Sequence, residues 1–378
     1  MRIGIDARFY SSAFTGIGRY VYELIEHLLK IDHKNHYVLF FNDPNFEKFI
    51  PPRGGVEKVL VNAKHYSFDE QWKFLKILRA HKLDLMHFTH FNAPILYRKP
   101  CIVTIHDLTL HFYPGRKMAG WISRMGYNLT IRSIIKRAKK VVAVSKNTKT
   151  DIVKLLNVNP EKIKVIHEGV NHQFHRLKDG NQVEQFKANY GFIKPYILYT
   201  GVWRSHKNLV NLIKAFAILK HKYKFPGILV ITGKEDPWYP EVKQTVRAEH
   251  LEGDVRFTGL VPEEDLVLLY NGALLYVFPS FYEGFGLPAL EAFACGIPVC
   301  ASHSSSLPEI CGNAAVFFDP TSPHDMADKI SSVILNPKKA EELVQKGYAR
   351  LKDFSWEKMA QETLEVYNAT HEHSECAI

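Results

Sequence analysis

The sequence is poor in cysteine, and its cysteines are not spaced for a metal site. The five cysteines are Cys101, Cys295, Cys300, Cys311 and Cys376. None belongs to a C-x-x-C pair, and an odd number cannot all pair within one chain. We therefore predict a protein without a disulfide framework or zinc ribbon, in a reduced compartment.

Long apolar runs are also missing. No stretch of about 18 uninterrupted apolar residues occurs, so the sequence predicts no transmembrane helix. The chain opens with an apolar strand at Arg2–Asp6, without the basic and then apolar regions of a signal peptide. We therefore expect a cytoplasmic protein.

Acidic residues are outnumbered by basic ones, which gives a formal net charge of +10. This excess favours an anionic partner, which could be nucleic acid, a phospholipid surface or a phosphate-bearing substrate. Composition does not choose among the three. The sequence contains no recognised nucleic-acid-binding module, so we expect no nucleic-acid partner.

The 378 residues favour two domains, and short apolar runs alternate with segments of helical spacing. This alternation predicts an α/β fold with parallel sheets covered by helices on both faces. A drop in apolar density places the boundary between about 170 and 195, giving domains at 1–170 and 195–354. The predicted strands are Arg2–Asp6, Tyr37–Phe41, Val56–Val61, Asp84–Phe88, Cys101–Ile105, Lys140–Val144, Lys164–Ile166, Tyr196–Thr200, Ile228–Thr232, Val255–Thr258, Leu275–Phe278, Ile297–Cys300 and Ala315–Phe318.

The most informative stretch runs from 279 to 296 and follows a predicted buried strand. Pro288 suits the first turn of a helix, which places Glu283 in the entry loop and Glu291 one turn inside. Gly284 and Gly286 let backbone N–H groups approach a ligand closely. A helix N-terminus at the carboxyl edge of a parallel sheet is typical of an anion site.

Arg204 and Lys207 follow the first strand of the second half, just before a helix that begins near Asn208. Two cations beside a helix N-terminus suit a diphosphate, because point charges and oriented N–H groups converge on the same oxygens. The alternative is a solvated basic loop.

Gly16 and Gly18 begin the first predicted helix, but Val21 stands where a dinucleotide fingerprint needs a third small residue. This argues against a nicotinamide-dependent oxidoreductase and leaves a tight loop that a substrate can approach. His106 and Asp107 follow a strand and should face the crevice. The alternative is a capping aspartate with a surface histidine.

Two further histidines, His87 and His90, do not form a metal pair on a strand end, because their spacing does not put both imidazoles on one face. We expect no metal site. The segment 115–140 carries eight basic and no acidic residues, interleaved with Trp121, Ile122 and Met125. It predicts a helix at an anionic membrane surface; the alternative is a core-packed helix with a charged outer face.

The stretch from Glu283 to Glu291 resembles the E-x7-E motif of retaining GT-B glycosyltransferases of family 4. Shorter matches extend along nearly the whole chain, at 15–20, 105–108, 144–146, 169–171, 231–234 and 257–261. The Thr-Gly-Ile-Gly-Arg-Tyr match is most similar to the mannosyltransferase branch that builds bacterial surface polysaccharides.

The resemblance implies a GT-B fold, in which two Rossmann-like domains face each other across a cleft. The N-terminal domain would bind the acceptor and the C-terminal domain the nucleotide sugar. A final helix, here about 355–370, would cross back to the N-terminal domain. Ser355 can cap this helix, and its apolar stripe fits such packing.

The resemblance also assigns roles. Glu291 would bind the nucleotide ribose, Arg204 and Lys207 the diphosphate, and Glu283 would lie near the transferred sugar. His106 would also lie near the sugar, so the implied catalytic residues are Glu283, His106, Arg204 and Lys207. The other implied substrate-binding residues are Gly16, Gly18, Gly233, Val261 (near the base), Gly284, Phe285, Gly286 and Leu287.

The implied activity is retaining transfer of a hexose, foremost mannose from GDP-mannose, without metal or cofactor. The acceptor would be a glycan or lipid-linked molecule in surface polysaccharide or lipopolysaccharide assembly, with peripheral contact to the cytosolic face of the inner membrane. The alternatives are a UDP-sugar-dependent transferase of the same fold and a sugar-nucleotide epimerase. We expect a front-face mechanism; double displacement through Glu283 is the alternative.

Overall fold

The computed structural model describes residues 1–11, 16–115 and 120–375, with side chains described up to residue 372. The chain divides into two compact units. The first unit comprises Met1–Leu108, Lys117–Gly169 and Ser355–Ile378, and the second comprises Thr109–Arg116 and Val170–Phe354. Each unit is therefore assembled from segments that are separated in sequence.

Thirteen strands occur in the described residues. They are β1 (Arg2–Asp6), β2 (His36–Phe41), β3 (Val56–Leu60), β4 (Leu85–Phe88), β5 (Cys101–Ile105), β6 (Lys140–Ala143), β7 (Ile163–Val165), β8 (Tyr196–Thr200), β9 (Ile228–Thr232), β10 (Val255–Gly259), β11 (Leu275–Phe278), β12 (Val299–Ser302) and β13 (Ala315–Phe318). Each corresponds to a predicted strand, because buried parallel strands appear in sequence as short, continuous apolar runs.

Helices connect these strands throughout the described part of the chain. They are α1 (Gly16–Ile31), α2 (Asn45–Lys48), α3 (Leu75–Ala80), α4 (Thr109–Phe112), α5 (Trp121–Arg137), α6 (Lys146–Leu156), α7 (Gly180–Asn189), α8 (Leu209–His221), α9 (Glu241–Ala248), α10 (Glu263–Asn271), α11 (Leu287–Ala294), α12 (Leu307–Cys311), α13 (Pro323–Ile334), α14 (Pro337–Leu351) and α15 (Trp356–Glu375). A π-helical turn, Glu70–Phe74, precedes α3.

The two sheets share one topology. The first unit has the strand order β3-β2-β1-β4-β5-β6-β7, and the second has β10-β9-β8-β11-β12-β13. The paired strands are parallel in both sheets. In each sheet the order reverses direction beside the first strand, between β1 and β4 or between β8 and β11. Such a switch point opens a crevice at the carboxyl ends of the strands, where ligands bind.

The last helix, α15, belongs to the first unit and packs against α1. Its buried stripe includes Trp356, Met359, Ala360 and Tyr367, as the apolar spacing predicted. The helix continues to Glu375, past its predicted end near residue 370. The Tyr367 hydroxyl lies 2.7 Å from Nδ1 of His87 on β4, so the helix is bonded into the sheet as well as packed over it.

One strand begins later than predicted. The sequence predicted a strand from Ile297, whereas β12 begins at Val299. The backbone N–H of Ile297 donates to the carbonyl of Ala292 at 3.1 Å and so remains part of the end of α11. Pro298 then offers no N–H for a ladder, and the strand starts after it.

Candidate active site

The switch point of the second unit brings two predicted loops together. β8 and β11 are parallel neighbours, so the loops at 201–208 and 279–286 leave the sheet at the same edge. The backbone N–H of Phe281 donates to the carbonyl of His206 at 2.7 Å, which joins the loops directly. Residues from two distant motifs therefore line one crevice.

Lys207 and Glu283 are in direct contact at this edge. The Lys207 ammonium donates to both carboxylate oxygens of Glu283, at 2.7 and 2.9 Å. Both side chains are mostly buried, which strengthens the attraction between their charges. The backbone N–H of Glu283 is held by the Ser305 hydroxyl at 2.8 Å. The structure thus joins two of the residues predicted to be catalytic into one ion pair.

Arg204 lies in the same loop but faces another direction. Its guanidinium is 3.4 Å from the carboxylate of Asp236, in the loop after β9, and 41% of its side chain is exposed. The predicted diphosphate clamp therefore consists of two cations that each have an acidic neighbour. Both sit close to the beginning of α8, where helical N–H groups add positive potential.

Asn208 shapes this loop, and the sequence analysis gave it no role. It adopts a left-handed conformation with φ of 60° between the short 3-10 turn Ser205–Lys207 and α8. Its side-chain amide donates to the carbonyls of Pro279 at 2.9 Å and Pro320 at 2.8 Å. Asparagine tolerates this left-handed conformation better than most residues. An asparagine directly after the basic loop was therefore the local sequence signal for this turn.

Glu291 lies on α11 and accepts a hydrogen bond from the Tyr270 hydroxyl at 2.8 Å. Burial raises the pKa of Tyr270 well above its usual value, and the nearby Glu291 charge adds to this effect, so the phenol stays protonated and donates. Thr200 Oγ1, at the end of β8, lies 2.9 Å from the same hydroxyl. Tyr270 was missed in the sequence because it lies in a different helix, α10.

The glycine-containing loop ends where α11 begins. Gly286 caps the helix with φ of 141°, a conformation that residues with a Cβ rarely adopt, and Pro288 occupies the first turn. The first N–H groups of a helix have no intrahelical partner, so the predicted roles of the Gly286 and Leu287 N–H groups in binding a ligand stay predictions. The Ser306 hydroxyl lies within hydrogen-bond distance of the carbonyl oxygens of Glu283 and Phe285 and donates its one proton to this part of the loop.

Gly233 permits close packing of two strand ends. Its φ is +121°, and a Cβ placed there would lie 2.1 Å from the carbonyl oxygen of Gly201. Its own N–H donates to the carbonyl of Gly259 at 2.8 Å. Val261 is buried just before α10. The substrate-binding roles of Gly233, Val261 and Gly284 stay predictions.

In the first unit, His106 follows β5 and is only 9% exposed, so it is not a surface histidine. Its Nε2 lies 3.0 Å from the Thr89 carbonyl, and its Nδ1 lies 3.3 Å from a carboxylate oxygen of Glu168. The Tyr20 ring meets the imidazole edge-on at 4.7 Å. Glu168 was missed because it stands outside every recognised motif.

The other histidines of this edge are buried and neutral. Burial lowers the pKa of His87 to about 3, and its two ring nitrogens contact the hydroxyls of Tyr367 and Thr104. Burial also lowers the pKa of His90 well below its usual value. In the part of the chain that the structure describes, no group of three or more His, Cys, Asp or Glu side chains could hold a metal ion.

The predicted Gly16 loop is partly visible. Gly16 is the first residue of α1, and a Cβ there would meet nothing within 4 Å, whereas Gly18 is buried. Thr15 of the predicted motif lies outside the described residues. The substrate-binding roles of Gly16 and Gly18 stay predictions.

Most of the basic segment 115–140 forms α5, whereas Lys140 begins β6, and Arg116 and Lys117 lie outside the described residues. Its first half exposes four large apolar side chains over more than half of their surface: Trp121, Ile122, Met125 and Leu129. Tyr127, Ile131, Ile134 and Ile135 face the core. Arg137 is occupied by the carbonyls of Pro94 and Tyr97. None of the described helices is long and apolar enough to cross a membrane.

Two protein families match the chain, one in each half. Residues 14–174 match Glycosyltransferase Family 4, and residues 182–350 match Glycosyl transferases group 1. O-antigen chain mannosyltransferase B of Escherichia coli is 28% identical over 93% of this chain and 96% of its own length. O-antigen chain mannosyltransferase RfbU of Salmonella typhimurium is 30% identical over 66% of this chain and 65% of its own.

A solved structure shares the same fold over nearly the full length. Anabaena Alr3699/HepE, in complex with UDP-glucose, superimposes with a TM-score of 0.77 over 98% of this chain and 100% of that one, at 18% identity. Three findings lead to the same assignment: the E-x7-E loop and helix, the strand orders of the two sheets, and the two family matches. The chain is a glycosyltransferase of the GT-B fold, whose N-terminal half matches Glycosyltransferase Family 4 and whose C-terminal half matches Glycosyl transferases group 1.

Proposed function

We propose that this enzyme is a retaining mannosyltransferase that uses GDP-mannose to extend a glycan or lipid-linked acceptor during assembly of surface polysaccharide or lipopolysaccharide. The observation that carries the proposal is the Lys207–Glu283 ion pair beside the first turn of α11, an arrangement suited to a sugar diphosphate. The O-antigen mannosyltransferases that resemble the chain over most of its length support the choice of sugar and of pathway.

In this proposal the donor binds to the second unit. Lys207 and Arg204 contact the diphosphate, helped by the N–H groups of Gly286 and Leu287. Glu291 accepts hydrogen bonds from the ribose hydroxyls, and Tyr270 holds its carboxylate in place at 2.8 Å. Glu283 lies near the sugar end of the donor, next to Lys207.

The chemistry follows from the charges of the leaving group. As the bond between the anomeric carbon and the diphosphate breaks, negative charge develops on the phosphate oxygens, and Arg204 and Lys207 stabilise it in place of a divalent cation. The acceptor oxygen bonds to the anomeric carbon on the same face, and its proton passes to the departing phosphate oxygen. Transfer without a metal and with retention follows.

The geometry favours this front-face route over double displacement. Both carboxylate oxygens of Glu283 accept from the Lys207 ammonium, at 2.7 and 2.9 Å. A carboxylate engaged in this way is a weakened nucleophile, because an attack on the sugar must first break the contact. We propose instead that Glu283 orients Lys207 toward the leaving group.

We propose that the acceptor binds to the first unit, where Gly16, Gly18 and His106 lie at or near the carboxyl edge of the sheet. The exposed apolar side chains of α5, with the exposed Arg124 and Lys136 beside them, suit an anionic membrane that carries a lipid-linked acceptor. Apolar side chains would enter the interface while basic ones meet the lipid headgroups.

The test is a donor panel. GDP-mannose, other GDP-sugars and UDP-sugars are compared by titration calorimetry, and transfer to extracts of lipid-linked glycan is followed with radiolabelled sugar. We expect GDP-mannose to bind most tightly and to be the donor that supports transfer, with the α-linkage of the donor kept in the product. Full activity in EDTA would support the metal-independent route.

Other results would contradict the proposal. Preferential binding of a UDP-sugar would show that GDP-mannose is not the donor. Conversion of the sugar nucleotide without any transfer would indicate an epimerase. An activity lost in chelator and restored by manganese would show that Arg204 and Lys207 do not replace a metal.

A further inference from the structure

The segment 109–115, here named the strap, is a stretch of chain that none of the predicted roles uses. It consists of α4 and the three residues after it, and the N–H of Tyr113 donates to the Thr109 carbonyl at 2.6 Å. The residues before it, up to Leu108, belong to the first unit, whereas the strap belongs to the second. Contacts within the second unit therefore hold the strap in place.

Tyr113 packs where the two loops of the candidate active site meet. Its ring lies nearly parallel to that of Phe281, with 9° between the planes and 6.3 Å between the centroids. Its centroid is also 5.9 Å from that of the His206 ring. Phe281 and His206 are the residues whose backbones join the loops, through the N–H to carbonyl bond of 2.7 Å. The Tyr113 ring therefore contacts both partners of the bond that joins the two loops.

Phe112 makes a second aromatic contact with the loop after β11. Its ring centroid is 4.9 Å from that of Tyr282, with the planes tilted by 41°. Tyr282 directly follows Phe281 and directly precedes Glu283. Two successive residues of the strap thus pack on the two successive residues that lead into Glu283.

The end of the strap reaches a third loop. Gly115 has φ of +66°, and a Cβ placed there would lie 3.3 Å from the Tyr239 hydroxyl. Tyr239 stands in the loop after β9, and its N–H donates at 2.9 Å to the carbonyl of Asp236, the ion-pair partner of Arg204. The strap therefore spans the loops after β8, β9 and β11.

His206 contributes a neutral ring to this packing. Burial lowers the pKa of His206 to about 4, and the nearby Lys207 charge lowers it further. The ring is therefore uncharged at physiological pH, and the contact with Tyr113 is one of ring packing rather than of charge.

We propose that Tyr113 is a positioning residue, which holds the Lys207–Glu283 ion pair in place at the diphosphate end of the donor site by packing on both loops. It acts through Phe281 and His206 and does not touch the reacting atoms. The effect on catalysis rests on the proposed function, whereas the effect on the order of the loops does not.

The two loops need such support because they contain little regular secondary structure. Lys207 ends a 3-10 turn of three residues, and Glu283 stands outside the helices and strands. The Asn208 amide bonds one loop to the other at the Pro279 carbonyl, and the strap adds ring packing to this hydrogen bond. A displacement of about 1 Å at a reacting centre can cost about 100-fold in rate, so the packing matters for turnover.

Hydrogen exchange of the Phe281 amide tests the positioning directly. This N–H is bonded across the loops, so its exchange rate reports how often they separate. In the full-length protein without ligand, Tyr113→Ala should speed exchange at Phe281 about 2–10-fold, the effect of losing aromatic ring contacts. Tyr113→Phe should exchange as the wild type does, because the contacts with both loops are made by the ring.

The matched control is Tyr190→Ala. Tyr190 is also half-buried and packs on the rings of Phe186 and Phe192, but it lies at the end of α7. This change should leave exchange at Phe281 as in the wild type. Unaltered exchange at Phe281 in Tyr113→Ala would overturn the inference, as would an equal acceleration in Tyr190→Ala. These outcomes need no donor, so they are separable from a failure of the proposed function.

Steady-state kinetics test the link to catalysis, with the sugar nucleotide that the donor panel selects. Tyr113→Ala should lower kcat about 10–100-fold, because the ion pair is no longer held at the leaving group. The donor KM should change little, since Glu291 still binds the nucleoside end, and Tyr113→Phe should keep most of the activity. An unchanged kcat, with or without a raised KM, would overturn the inference, as would a Tyr113→Phe variant as slow as Tyr113→Ala.

Discussion

The two units have the same strand order, but their carboxyl edges differ in chemistry. The edge of the second unit carries partly exposed ion pairs, Lys207–Glu283 and Arg204–Asp236, beside a helix N-terminus. The edge of the first unit holds Arg8 in ion pairs with Asp6 and Glu70, and all three side chains are buried. Its imidazoles are buried as well.

This difference shows that topology places a site while the loops decide what it binds. Charges that remain near water can exchange their partners for a ligand's phosphates, as the proposed donor site of the second unit requires. Charges buried with their partners are part of the fold and leave a neutral polar surface. This contrast supports the proposal that the second unit binds the anionic donor and the first an uncharged, hydroxyl-rich acceptor.

The largest effect is expected when Lys207, a cation at the carboxyl edge of the second unit's sheet, is removed. We expect Lys207→Ala to lower kcat about 10²–10³-fold, the effect of losing one group aimed at developing charge. The control is Lys214→Ala, an exposed lysine on α8. Steady-state release of GDP measures the effect, and a kcat near that of the wild type would remove Lys207 from the machinery.

A smaller effect is expected at the nucleoside end. Glu291→Ala should weaken GDP binding by about 1.5–3 kcal/mol, because a charged acceptor to the ligand is lost. Glu342→Ala, an exposed glutamate on α14, is the matched control. Titration calorimetry reports both, and equal affinities would show that Glu291 serves only its hydrogen bond with Tyr270.

The third prediction concerns the backbone under the second edge. Gly233→Ala should destabilise the protein by about 1–3 kcal/mol, since the residue must hold a positive φ and its new methyl group meets the Gly201 carbonyl. Gly180→Ala, in open space on α7, should not destabilise. Thermal unfolding compares them; a Gly233→Ala protein as stable as the wild type would mean that the strand ends can separate freely.

The smallest effect is expected at the surface of the first unit, where α5 is proposed to bind an anionic membrane. Replacing either Arg124 or Lys136 with Ser should weaken binding to anionic vesicles by about 1 kcal/mol, and high salt should also weaken this binding. Met125→Ser tests the apolar part, with the exposed Leu335→Ser of the second unit as control. Co-sedimentation that is equal for all variants would show that α5 is only a charged helix over the core.

Sequence patterns predicted the strands and the motif loops well because both depend on neighbouring residues. Apolar runs identify buried strands, and the order Glu–Gly–x–Gly–x–Pro identifies a helix entry. Pairs formed by the fold were not predictable in this way: His106 and Glu168 are separated by 62 positions in sequence. Nothing local to either residue specifies the other as its partner.

Arg8 is a second case in which the sequence does not reveal the partners that a side chain has in the fold. In sequence it is one more cation in a basic chain, but its guanidinium donates to Asp6, Glu70 and the Asn92 carbonyl and lies 4.1 Å from the Phe74 ring. Net charge thus overstates the number of cations available to a ligand. The orientation of Arg204 toward Asp236 was likewise set by a loop after another strand.

The placement of α15 has a consequence for how the chain is made. The ribosome completes residues 1–169 before residues 170–354 of the second unit, but the helix that covers α1 and reaches His87 is synthesised only after them. Throughout synthesis of the second unit, the apolar face of α1 lacks its cover and the His87 ring lacks its Tyr367 partner. The first unit therefore cannot complete its fold until the second unit has been synthesised, and we expect a nascent chain stopped before Trp356 to leave the apolar face of α1 uncovered.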